Sequence, residues 1–156
     1  YSGTIAAAME GCALGIPSIA LSQVCDEDAR EKIDWTPGEV HAPALIRRLV
    51  QIGWPKATLL NVNFPPCPAA RVKGVAVVAQ TTRDPSARAL ERRVDTRGRV
   101  YYWLGFRPRR SRAPAGTDLH AIGQRKISVT PLHLDVTERR VLGKIRRRLG
   151  ETLSKG

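Results

Sequence analysis

Residues 1–24, YSGTIAAAMEGCALGIPSIALSQV, decide the fold class. Ile5, Ala8, Met9, Cys12 and Ala13 recur at i, i+3, i+4, i+7 and i+8, a single apolar stripe, so the spacing predicts a helix over Ser2 to Leu14. Ser2 suits the N-cap, because its hydroxyl can accept one of the backbone N–H groups that a first helical turn leaves free. Gly15 ends the helix and Pro17 bars its continuation. The run Ser18 to Val24 then has the length and apolar content of a buried strand. Helix followed by buried strand across a short connection is the step from which α/β proteins are built.

The same alternation continues downstream. Asp26 to Trp35 is charged and reads as a surface loop or a short turn of helix. Pro37 to Ile52 is predicted as a second helix, with Val40, Ala44, Leu45, Leu49 and Ile52 near one face and Trp54-Pro55 closing it. Thr58 to Phe64 is the next strand, stopped by Pro65, Pro66 and Pro68, and Val72 to Ala79 a third. From Thr81 to Pro114 the chain turns basic and polar. There Asp95-Thr-Arg-Gly98 signals a turn before Val100 to Leu104, which predicts an extended β-hairpin arm projecting from the body. Gly116-Thr-Asp118 opens a short helix and Ile127 to Leu132 is a further strand. Glu138 to Leu153 is a final helix with its stripe at Leu142, Ile145, Leu149 and Leu153, and Arg139, Arg140 and Arg146 to Arg148 mostly solvated. The pattern is that of a mixed α/β protein lacking its beginning.

Composition agrees with one ordinary domain: 156 residues, 42% hydrophobic and 26% charged, enough for a real core and unlike a disordered tail. The chain starts at Tyr1 and moves at once into a helix start, which suggests a fragment or a processed product. A formal net charge of +12 points to nucleic acid, a membrane surface or an anionic small substrate, or to an Arg-rich proteome; only six of the 26 basic residues are Lys. Three widely spaced cysteines without a C-x-x-C argue against a disulfide framework or a zinc site. Cys12, on the predicted helix face, reads as a small buried hydrophobe. A cytoplasmic setting is therefore expected, and no apolar run is long enough to span a membrane.

The candidate functional residues are few. Ser2, Gly3 and Thr4 stand at a helix N-terminus, where free N–H groups and the helix dipole favour an anion; the alternative is an ordinary Ser cap. His41, His120 and His133 show no ligand spacing, and solvated or capping roles are expected, with general-acid work left open. Tyr101, Tyr102 and Trp103 can stack on a nucleobase or on a neighbouring subunit. The cluster Arg107 to Arg112 is either a solvated arm tip or a polyanion contact.

Four segments together resemble the SurE family: Tyr1 to Gly11, in which Ser-Gly-Thr opens a small-residue helix ending in Glu-Gly; Leu59-Leu-Asn-Val-Asn-Phe-Pro65; the aromatic hairpin Asp95 to Gly105; and Gly116-Thr-Asp118 followed by Ile127 to Leu132. They occur in the right order across almost the whole chain. Gln124-Arg-Lys126 departs from the family pattern, which tends to Gly-Tyr there.

The resemblance implies a Rossmann-like α/β SurE fold with its N-terminal part missing, an extended β-hairpin arm and a C-terminal helix. Residues 1–80 would be the C-terminal part of the core. Residues 81–156 would be the arm, last strand and C-terminal helix used in oligomerisation. The implied activity is that of a metal-dependent 5'-nucleotidase using Mg or Mn on nucleoside monophosphates, as a homodimer or homotetramer, with neither membrane nor nucleic acid expected as a partner. Ser2, Gly3 and Thr4 would bind phosphate, and Tyr101, Tyr102 and Trp103 would lie at the oligomer interface. The family's metal ligands (two adjacent Asp, a Ser and an Asn) match nothing here and are expected upstream of Tyr1. Asp26 and Asp28 are separated by one residue after the wrong strand and read as loop charges. The alternatives are a basic nucleic-acid- or polyanion-binding module, and a catalytically dead oligomerisation fragment.

Overall fold

Helix α1, Gly3–Ala13, forms where the stripe places it, and Ala8 and Cys12 are its buried residues. The computed structural model describes residues 2–25, 33–81, 88–106 and 113–153; Tyr1, Asp26, Asp28 and the Arg107 to Arg112 cluster lie outside them. Ile5 and Met9 pack beside Ala8 and Cys12 on Ala20 and Leu59. Ala13, expected on the stripe, is exposed instead. The Cys12 thiol reaches the Thr58 carbonyl at 3.4 Å, so α1 meets the sheet along residues 5, 8, 9 and 12, with Ala13 turned to the other side.

The chain reverses between Leu14 and Ser18 and enters strand β1, Ile19–Gln23. Gly11 makes the reversal tight, since a Cβ there would stand 2.5 Å from Ser18 Oγ. Helix α2, Thr36–Ile52, starts on an Asp34 carboxylate that accepts the Thr36 N–H at 2.9 Å. It turns Ala42, Leu45 and Leu49 to the sheet. Val40 and Ile52 are 60% and 68% exposed, and Ala44 is exposed too, which corrects the predicted face. Phe64 lies in van der Waals range, 3.8 Å from where a Gly38 Cβ would be, so the Gly38 side of the helix faces the sheet.

Strand β2, Thr58–Phe64, pairs in parallel with β1 from Ile19–Leu60 to Gln23–Phe64. The next strand, β3, covers only Val75–Val77, shorter than the predicted Val72 to Ala79. Gly74 at φ 102° bends the chain before it. After it, Ala79 leaves to bond the Gly116 carbonyl at 3.0 Å.

Strands β4, Arg88–Val94, and β5, Val100–Phe106, form a two-stranded antiparallel sheet of their own, with the predicted turn at 95–98 between them. Helix α3, Asp118–Gly123, leads to β6, Ile127–His133, and helix α4 is Arg139–Leu153.

The main sheet runs β1-β2-β6-β3, parallel, antiparallel, parallel. Its two faces carry separate cores. Val62, Phe64, Ile127 and Val129 meet α2, while Leu59, with Leu132 and Leu134 beside it, meets α1. The α4 stripe finds no such cover: Ile145 and Leu149 are exposed and Leu142 is half-buried. No helix is long and apolar enough to cross a membrane among the described residues.

Candidate functional site

The αβ reversal fixes where the N-terminus of α1 lies. Cys12 and Gly11 sit against Thr58 and Ser18, at the start of β2 and β1. Eleven helical residues rise about 16 Å, and the five residues of β1 cover about the same length in the opposite sense. Ser2 to Thr4 therefore lie level with the carboxyl ends of β1 and β2, where open α/β sheets take their ligands.

Ser2 is extended, at φ −121° and ψ 120°, and its Oγ accepts the Ile5 N–H at 3.3 Å. Its carbonyl accepts the Ala6 N–H at 3.0 Å. The N–H groups of Gly3 and Thr4 keep no partner among the described residues, and all three residues are exposed. No atom lies within 4 Å of a Cβ built on Gly3, so a ligand can approach the backbone from that side. An exposed helix start with two free donors and one open glycine is suited to a tetrahedral anion.

A second polar region was not foreseen. Alternation places Asn61 and Asn63 of β2, with Ser128 and Thr130 of β6, on the α1 face, where Asn61 pairs with Thr130 and Asn63 with Ser128. The hydroxyls of Ser128 and Thr130 are fully buried and have no hydrogen-bond partner among the described residues. Thr130 opens on a cavity of about 440 Å³ also lined by Met9, Leu59, Leu132 and His133. The polar-apolar alternation of Leu60-Asn-Val-Asn-Phe64 was the available sign of this strip.

Asp118, read in the sequence only as part of a helix start, joins two distant segments. Its Oδ1 accepts the N–H and the hydroxyl of Thr81 and the N–H of Leu119. The histidines are spread apart in role. His41 Nε2 faces the Ala69 carbonyl at 3.1 Å, His133 Nδ1 accepts the Asp135 N–H at 3.0 Å, and His120 lies in α3.

Among the described residues no group of three or more His, Cys, Asp or Glu could hold a metal ion. Four aspartates already accept hydrogen bonds: Asp34 from Thr36, Asp95 from the N–H groups of Arg97 and Arg99, Asp135 from Thr137, and Asp118 from the distant Thr81. The donor set of the described residues does not fit a divalent metal.

Tyr101, Tyr102 and Trp103 are all exposed on β5, far in sequence from the α1 start, and Arg93 Cζ lies 5.5 Å from the Trp103 ring centroid.

Known proteins share both the sequence and the shape. A family model described as "Survival protein SurE" matches residues 1–87. The "5'-nucleotidase SurE" of Phenylobacterium zucineum is 50% identical over 149 residues, covering 96% of this chain and 57% of that protein. That of Parvibaculum lavamentivorans is 46% identical over 150 residues, covering 96% of this chain and 54% of that protein. The crystal structure of the SurE protein from Aquifex aeolicus superposes with a TM-score of 0.74 at 35% identity, covering 94% of this chain and 57% of that one. The chain thus spans a little over half the length of these relatives.

Proposed function

The chain belongs to the SurE family, and on that premise we propose that it supplies the phosphate-binding part of a metal-dependent 5'-nucleotidase acting on nucleoside 5'-monophosphates. The observation that carries this reading is the exposed start of α1, with the free N–H groups of Gly3 and Thr4 at the carboxyl ends of β1 and β2.

In this role Ser2, Gly3 and Thr4 hold the substrate's phosphate. The two backbone N–H groups and the Thr4 hydroxyl donate to its oxygens, and the positive end of the helix dipole offsets its charge. Ser2 fixes the first turn by capping it, so the donors are preset before the anion arrives. The described residues bind and orient; they offer no site for the divalent metal, Mg or Mn, that the family resemblance implies. Its ligands are assigned to the part of the relatives that this chain does not span.

Residues 1–80 are assigned to the core and 81–156 to the arm, last strand and C-terminal helix used in oligomerisation. The exposed apolar side chains of β4, β5 and α4 support an assembly role, since a lone two-stranded sheet with both faces bare is marginal in water. Tyr101, Tyr102 and Trp103, all exposed on β5, are the part of the hairpin we assign to a homo-oligomeric contact.

The test is AMP hydrolysis with manganese by this chain, beside a fusion that restores the relatives' full length. Activity in the fusion that falls when Gly3 is changed to Ala supports the reading. A fusion that folds and binds manganese yet leaves AMP intact overturns it.

A further inference from the structure

Five uncharged polar side chains stand side by side on the sheet face that α1 covers. They are Ser22 of β1, Asn61 and Asn63 of β2, and Ser128 and Thr130 of β6; the register sets Ser22 and Ser128 beside Asn63, and Thr130 beside Asn61. None of the five side chains makes a hydrogen bond within the described residues. Ser128 and Thr130 are 0% and 2% exposed, and the other three are half-buried. Amides and hydroxyls left without partners in such a place cost stability, and they keep their full capacity for a ligand.

The strip has a direction. Ser22, Asn63 and Ser128 form the row at the carboxyl ends of β1 and β2, level with Ser2 to Thr4. Asn61 and Thr130 form the next row, about 7 Å along the strands. The row after that is Leu59 with Leu132, which lines the cavity of about 440 Å³ together with Met9 and Val136. From the start of α1 the surface thus passes from anion donors to uncharged polar groups and then to apolar walls. A nucleoside 5'-monophosphate presents phosphate, sugar and base in the same order. A chain of phosphates would meet no cation among these five side chains, and a purely apolar ester would leave the amides unpaired.

We propose that the strip and the cavity hold the nucleoside half of the substrate, the sugar hydroxyls on Asn61 and Asn63 and the base between Met9, Leu59, Leu132 and Val136. Each amide offers both a donor and an acceptor, which suits a sugar hydroxyl that also does both. Gln80 and His133 are the other polar side chains of the cavity beside Thr130. His133 Nδ1 accepts the Asp135 N–H, which leaves the ring proton on Nε2 as a donor for the polar edge of a base. The inference rests on the phosphate reading of the α1 start and adds the rest of the substrate to it.

The experiment is calorimetric titration of the full chain with inorganic phosphate, glycerol 3-phosphate, adenosine and AMP. AMP is expected to bind more tightly than either adenosine or phosphate, and glycerol 3-phosphate to bind no better than phosphate. Asn63→Ala should weaken AMP and adenosine about five-fold or more, the worth of a lost hydrogen bond or two, and leave phosphate within about two-fold. Val136→Trp, at a side chain 86% exposed, puts bulk at the cavity without disturbing the core and should weaken adenosine in the same way. Phosphate that fails to bind would overturn the reading of the α1 start. Phosphate that binds as tightly as AMP, beside adenosine that does not bind, would overturn the nucleoside subsite alone. So would an Asn63→Ala protein that keeps its native melting temperature and loses phosphate and AMP to the same extent.

Discussion

Thr81 gives both its backbone N–H, at 2.9 Å, and its hydroxyl, at 2.5 Å, to a single carboxylate oxygen of Asp118. The Asp118 N–H in turn donates to the Ala79 carbonyl at 2.9 Å, and Ala79 donates to Gly116 at 3.0 Å. These bonds close the base of the long segment that carries the hairpin, so that it leaves and re-enters the body at one point. They join β3 to α3 and through α3 to the central strand β6.

Removal of that carboxylate should therefore be costly for a half-buried surface group. Asp118→Ala leaves both Thr81 donors without an acceptor, and hydrogen bonds to a charged group are each worth about 1.5–3 kcal/mol. A loss of about 2–3 kcal/mol is expected in urea unfolding. Asp118→Asn keeps an acceptor oxygen in place and should lose less than half as much. A loss below about 0.5 kcal/mol for the Ala variant would show that the hairpin base is held elsewhere.

The buried hydroxyls of Ser128 and Thr130 lead to the opposite sign. Neither has a hydrogen-bond partner among the described residues, and a buried polar group without one costs about 1–3 kcal/mol. Thr130→Val keeps shape and strand preference while removing the hydroxyl, and Ser128→Ala does the same for its neighbour two residues away. Each is expected to be neutral or to stabilise by up to about 1 kcal/mol in the same unfolding assay. A loss of more than about 1 kcal/mol would reveal an ordered water or ligand on that strip.

At the start of α1, stability and binding can be separated. Ser2→Ala removes the cap on Ile5 and should cost about 1 kcal/mol, weakening phosphate binding as the first turn frays. Gly3→Ala meets no neighbour within 4 Å and should leave stability unchanged or slightly raised, because Ala is the better helix former. Its methyl group nonetheless stands where the anion must approach, so inorganic phosphate, followed by phosphorus NMR, should bind about ten-fold more weakly. Unchanged phosphate affinity in Gly3→Ala would remove the anion from this helix end.

Much of this was legible in the sequence, and the failures have physical causes. The Ser2 cap, the strand Thr58–Phe64 and the 95–98 turn are set by local chemistry and lie where the residues place them. The inward face of α2 was misjudged, because Val40, Ala44 and Ile52 are as apolar as the residues that pack. Which of them pack is set by contact with Val62, Phe64, Ile127 and Val129 across the sheet, which the helical period alone does not record. The predicted third strand is longer than the observed one because Val72 and Val78 have strand preference, yet the register with β6 runs only from Val75 to Val77, with a last bond from the Val78 N–H to the Val129 carbonyl. The bond from Thr81 to Asp118 spans 37 residues, and no periodicity records a contact of that kind.

Acid should loosen the starts of two helices. The Thr36 hydroxyl and N–H hold the Asp34 carboxyl below its usual range, and those of Thr137, with Arg139 nearby, do the same for Asp135. A carboxylate with a lowered pKa in the folded state contributes stability that is complete above its unfolded value of about 3.9 and is lost as pH falls through the lower, folded one. Amide exchange at Thr36 and Thr137 should accordingly be flat from neutrality to about pH 4 and accelerate, relative to intrinsic rates, below it. Asp34→Asn and Asp135→Asn should each abolish the acid step at their own helix only. A step that persists in both variants would place the titrating group elsewhere.

The turn between α3 and β6 carries a correctable strain. Arg125 follows the C-cap Gln124 with φ 59°, in the left-handed region where L residues with a Cβ lose roughly 1–2 kcal/mol. It is held there from both sides. Its N–H bonds the Ile122 carbonyl at 2.9 Å, and its own carbonyl accepts the Lys73 N–H at 2.8 Å. Glycine is the usual residue at this position after a helix because it adopts the conformation without steric cost, at the expense of about 0.5–1 kcal/mol of added unfolded-chain entropy. The difference predicts that Arg125→Gly stabilises the protein by about 0.5–1 kcal/mol. Arg125→Ala, which keeps the Cβ and the strain, should gain nothing. If Ala proved as stabilising as Gly, the long charged side chain rather than the backbone would be the source of the cost, and the departure from the family pattern at 124–126 would be electrostatic in origin.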